Sequence, residues 1–131
     1  MDALRELAAA APDAHWRIGW ILILGGFLSG ASLGLGFHRE AFLGGYPSFR
    51  RRLLRLGHIA FVALGMLNLL VAAGPAAARG AWSSPLLILG SVAMPLVCLG
   101  TAWRPALRAA FPVPVLLLVG AASSIVAGGA S

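Results

Sequence analysis

The chain has 131 residues, 60% of them hydrophobic and only 11% charged, with a mean hydropathy of +0.90. A water-soluble domain of this size carries roughly 25% charged residues to cover its surface, so the composition excludes a cytoplasmic enzyme or a nucleic-acid-binding module. The charges are arginines and acids without lysine, for a formal +6, and almost all of them fall between apolar runs, as in a polytopic membrane protein.

From the N-terminus, residues 2–11 place Leu4, Leu7 and Ala8 on one side and Asp2, Arg5 and Glu6 on the other. That pattern predicts a short amphipathic helix lying on a membrane surface, with a frayed Ala-rich tail as the alternative. The acids here and the long apolar stretch that follows argue against a secretory signal peptide. A membrane span needs about 20 apolar residues to cross roughly 30 Å of hydrocarbon. Four stretches qualify, at about 18–37, 54–73, 85–103 and 111–129. The expected fold is therefore all-α: a single transmembrane domain over 1–131, with four helices in an antiparallel up-down bundle. Proline punctuation agrees, since Pro75 helps end the second span, Pro85 opens the third, Pro105 follows it, and Pro112 and Pro114 fall in the first turn of the fourth. Pro95 predicts a kink in the third span.

Arginine counts set the expected orientation, because short basic loops stay in the cytoplasm. Arg39, Arg50, Arg51, Arg52, Arg55, Arg104 and Arg108 lie on one side, and only Arg5, Arg17 and Arg79 on the other. Both termini are thus expected on the non-cytoplasmic side. Trp16, Trp20 and Trp82 then mark the outer interface, and Tyr46 and Trp103 the inner one. The Arg-rich, Lys-free, Ala-rich composition fits a GC-rich bacterial genome, hence a multi-pass protein of a bacterial inner membrane.

Within the spans, Gly26, Gly30 and Gly34 recur at four-residue spacing, and Gly120, Ser124 and Gly128 repeat the device in the fourth. Small residues in a row let helices approach closely in lipid, so both ridges are expected to be packing faces. Ser91, Cys98 and Thr101 lie near one face of the third span; Cys98 reads as a packing residue. The second span carries His58, Gly65, Asn68 and Ala72 along one face. Polar residues inside a membrane point to a partner, a cavity or a cofactor. Two readings stay open for His58: a neutral imidazole hydrogen-bonded to a neighbouring helix, or an axial ligand of haem b, with Gly65 leaving room for the porphyrin and His38 as second ligand. His15 is expected at the opposite membrane surface, out of reach of His58. Asn68 is expected to contribute to helix packing.

The connection before the second span holds Arg50, Arg51, Arg52 and Arg55. A basic loop there serves topology and attracts anionic lipid headgroups, by about 1 kcal/mol per charge near the surface; a docking surface for a partner subunit is the sharper reading. The size and span count resemble the small multidrug resistance transporters, but the glutamate that resemblance implies inside a span is missing. The early glycine-rich run is similar to small fluoride channels, without the polar and Phe-Ser tracks that family would show. No paired carboxylates, Ser-His-Asp set, nucleotide loop or zinc spacing appears, so no enzymatic activity is expected. The leading functional expectation is a small accessory or assembly subunit of a larger bacterial membrane complex, surrounded by the lipid bilayer and by other membrane subunits or further copies of itself. The competing expectation is a b-type haem electron-transfer subunit using His58 with His38, and a third is a passive channel or lipid-handling bundle.

Overall fold

Long apolar runs with no acid inside them favour helix, and helix is what forms. The structure, a computed structural model, describes residues 2–128. Its elements are α1 (Asp2–Gly36), α2 (Phe49–Ala73), α3 (Ser83–Trp103) and α4 (Pro112–Gly128), joined by 3₁₀ turns at Phe42–Gly44, Ala76–Arg79 and Pro105–Ala110. Among the described residues there is no strand. Four stretches are long and apolar enough to cross a membrane: Pro12–Gly36, Phe49–Ala73, Ser83–Trp103 and Pro105–Gly128.

Two boundaries differ from expectation. The separate amphipathic helix over 2–11 is instead the start of α1, which runs unbroken for 35 residues with Pro12 inside it. A proline forfeits the hydrogen bond to the carbonyl four residues earlier, and here that loss does not end the helix. At roughly 52 Å, α1 is much longer than a bilayer core is thick. The second difference is at α2, which begins five residues early. Ser48 caps it by accepting the Arg51 amide at 3.2 Å, the bond that fixes a helix start. Arg50, Arg51 and Arg52 therefore belong to the first turn of a helix and not to a loop.

Packing is serial: α1 lies against α2, α2 against α3 and α3 against α4, with a smaller contact between α1 and α3. The helices form an open row, because α4 meets neither α1 nor α2 to any comparable extent. Contacts run in opposite order along neighbours. Gly19 faces Gly65 and Leu69, Gly26 faces Val62, and Gly30 faces His58; Gly57 faces Cys98 and Leu99; Gly90 faces Leu118 and Gly120 faces Leu86. Two apolar clusters close the ends of the row. Leu33, Leu53, Leu54 and Ala102, with Phe42 and Phe111 against them, hold the arginine-rich end. Val71, Leu87 and Ala121, with Leu118 and Ile125, hold the other.

Candidate functional site

A polar side chain buried among apolar helices must find partners or forfeit several kcal/mol. Asn68, near the end of α2, finds three. Its Nδ2 donates to Ser91 Oγ at 2.9 Å and to the Leu64 carbonyl at 2.8 Å, while its Oδ1 lies 2.7 Å from His15 Nδ1. On the far side of the imidazole, His15 Nε2 is 3.0 Å from Ser84 Oγ. His15, Asn68 and Ser91 are fully buried. The chain Ser84, His15, Asn68, Ser91 thus joins α1, α2 and α3 through side chains alone.

The hydrogen-bond inventory assigns the protons. Asn68 Nδ2 faces two acceptors, and a flipped amide would set its oxygen against the Leu64 carbonyl. Oδ1 is therefore the atom toward His15, so His15 Nδ1 carries a hydrogen and donates it. Nε2 lies on the other side of the ring, within hydrogen-bond reach of the Ser84 hydroxyl. Nucleophile, base and orienting amide stand in the order of a Ser-His-Asn hydrolytic set, a combination absent from the motifs expected of the sequence. Access decides what this arrangement does. His15 and Asn68 expose no surface and Ser84 is 9% exposed, which leaves little surface for an acyl group to approach. The arrangement is a three-helix lock.

His58 sits farther along the interface of α1 and α2. Its Nδ1 donates to the Gly26 carbonyl at 2.8 Å, with Ser29 Oγ at 3.3 Å. Its ring fills the notch at Gly30, where an added Cβ would stand 2.6 Å from Cε1. This contact bonds the imidazole to a neighbouring helix, and an Nδ1–H held by a backbone carbonyl is equally the arrangement of a histidine that ligates through Nε2. The space left by Gly65 is taken by α1, since a Cβ there would meet the Gly19 carbonyl and Ile23 at 2.8 Å. No slot for a porphyrin remains beside it. His38 lies beyond the end of α1, exposed in the connection to the first 3₁₀ turn. Among the described residues no cluster of three or more metal-ligating side chains occurs.

The small-residue ridges serve the chain's own packing. Gly26 and Gly30 receive Val62 and His58 of α2, whereas Gly34 has nothing within 4 Å of an added Cβ. On α4, Gly120 faces Leu86, Gly128 faces the Ala77 carbonyl, and Ser124 donates to its own helix at Gly120. At the arginine-rich end, Arg50 Nε donates to the Ala102 carbonyl at 3.0 Å, tying the start of α2 to the end of α3. Arg51 is buried against the Phe37 ring, and Arg55 lies over Tyr46.

His15 and Ser84 are the site residues that sequence reasoning missed. The usable signal was Asn68 itself: an amide more than a turn inside an apolar stretch requires partners at its own depth, and His15 and Ser84 stand near the matching ends of the stretches Pro12–Gly36 and Ser83–Trp103. Comparison of the chain with protein-family models, curated proteins and solved structures finds no significant match.

Proposed function

We propose that the chain is a multi-pass integral membrane protein, its four helices crossing up and down, that serves as a small accessory or assembly subunit of a larger bacterial membrane complex without catalysis of its own. One observation carries this reading: most of the apolar surface has no partner inside the chain. In the most apolar stretch of each helix, only 22%, 22%, 39% and 11% of residues are buried internally, from first to last. The last helix rests on α3 and the adjoining 3₁₀ turns alone. Beside it runs an open groove of about 470 Å³ lined by apolar residues of three helices, among them Leu64, Leu67, Leu87, Leu118, Val119 and Val126. Lipid or a neighbouring helix must cover this surface, since exposed apolar patches of this extent are not stable in water. Among the described residues, the buried chain of Ser84, His15, Asn68 and Ser91 is internally satisfied, which favours a structural role over chemistry. Purification in mild detergent is expected to recover the chain with other membrane subunits. Recovery as a stable monomer without companions overturns the accessory role, and a chain that stays folded in buffer without detergent overturns the membrane placement as well.

A further inference from the structure

A guanidinium is never deprotonated in a protein, so a buried arginine requires a counter-charge or a full set of acceptors. Arg51 has neither. It is 6% exposed, its Nε has no hydrogen-bond partner, and its Nη1 reaches only the Glu40 carbonyl at a long 3.5 Å. Aromatic faces supply the remaining contacts: the guanidinium carbon lies 4.3 Å from the centre of Phe37 and 5.6 Å from that of Tyr46. Arg55 approaches the same Tyr46 ring at 4.4 Å. Two guanidinium groups therefore share one exposed tyrosine, with no carboxylate paired to either among the described residues.

The surroundings add to the imbalance. Arg50, Arg51 and Arg52 occupy the first turn of α2, where the helix dipole is itself positive, and no acid stands in that turn. The Arg50 bond to Ala102 brings the end of α3 alongside, and Arg104 caps that end. Glu40 is the single acid in the two connections at this end, against Arg39, Arg50, Arg51, Arg52, Arg104 and Arg108. Loop geometry holds the cluster in place: Leu43, Gly44 and Gly45 all adopt positive φ, and Ser48 donates to the Leu43 carbonyl at 2.7 Å while capping α2.

We propose that this end binds one acidic phospholipid by its phosphate, at a site centred on Arg51 and Arg55 around Tyr46. Planar guanidinium groups match phosphate oxygens in paired hydrogen bonds, and the anion supplies the missing counter-charge. A lipid is favoured over an acidic protein by what flanks the arginines: Tyr46, Phe49 and Trp103 are exposed at the same end, and such side chains settle at headgroup depth. Below them on α2, Leu56 and Ile59 are exposed and offer an apolar track for the acyl chains. The proposal rests on the membrane placement above and not on the accessory role.

Native mass spectrometry of the full chain, released from mild detergent and titrated with phosphatidylglycerol or phosphatidylcholine, tests it. One phosphatidylglycerol per chain is expected at concentrations where phosphatidylcholine leaves no adduct. Arg55→Gln is expected to weaken that adduct about tenfold, the loss of one charge-assisted bond, and Arg108→Gln to leave it unchanged. Arg51→Gln is expected to abolish it; if that variant does not fold by circular dichroism, Arg55→Gln decides. Equal adducts with both lipids overturn the proposal. So does an adduct insensitive to Arg55→Gln, which would belong to the diffuse charge of this end, and so does displacement by equimolar inorganic phosphate, which would make it a free-anion site. A chain that is soluble before any detergent is added fails at the membrane placement instead, a result visible without lipid.

Discussion

Replacing Asn68 with leucine tests the three-helix lock directly. The substitution keeps an apolar residue of similar volume but removes bonds to His15 at 2.7 Å, to Ser91 at 2.9 Å and to the Leu64 carbonyl at 2.8 Å. Side-chain hydrogen bonds between membrane helices are worth on average about 0.6 kcal/mol each, so the two interhelical bonds contribute about 1.2 kcal/mol. The larger part comes from His15, whose Nδ1–H is left without an acceptor in a fully buried position; an orphaned donor costs about 1–3 kcal/mol. Asn68→Leu is therefore expected to destabilise the fold by about 2–4 kcal/mol. Ser84→Ala, which removes one bond, is expected to cost about 1 kcal/mol. Because the orphan causes most of the damage, His15→Leu combined with Asn68→Leu is expected to cost less than the sum of the single changes, by about 1 kcal/mol or more. Reversible unfolding in mixed detergent micelles, followed by circular dichroism, gives all four values. An Asn68→Leu effect under 0.5 kcal/mol, or strict additivity of the pair, refutes the lock.

Two neighbouring glycines of one ridge are expected to behave differently. Gly30→Ala drives a methyl to 2.6 Å from the His58 ring and is expected to cost about 1–3 kcal/mol in the same assay, whereas Gly34→Ala, with nothing within 4 Å, is expected to be neutral or to stabilise by up to about 1 kcal/mol through helix propensity. Arg79 Nη1 donates to the carbonyls of Val71, Ala72 and Gly74 at 2.9, 3.2 and 2.6 Å, satisfying acceptors that every helix leaves open at its C-terminus. Arg79→Ala is expected to cost about 1 kcal/mol and to speed amide hydrogen exchange in the last turn of α2; unchanged exchange there counts against the cap. Cys98 is fully buried between α2 and α3, so a maleimide is expected to label it only after unfolding, and rapid labelling of the folded chain shows that this interface opens.

Hydropathy and length were sufficient to read four helices from the sequence, because an apolar run of this length has few other ways to satisfy its backbone. Their ends were less legible. The start of α2 depends on whether the Ser48 hydroxyl reaches the Arg51 amide, and the continuity of α1 depends on a helix tolerating Pro12. The face carrying His58, Gly65 and Asn68 followed from spacing alone, but its neighbour did not, and identifying that neighbour separates a cofactor slot from a helix contact. Here α1 fills the space over Gly65, and Gly30 gives up its side chain to the imidazole.

Periodicity places residues on faces; it does not say which faces meet. Composition and spacing along the chain therefore determined the solvent this polypeptide is suited to, the number of its helices and the charge at each end. Only the tertiary structure decided that the row stays open at α4, that His15 is locked away with Asn68, and that a guanidinium is buried without a counter-charge. Those outcomes depend on contacts between residues up to 69 positions apart, and no local pattern encodes a distance of that kind.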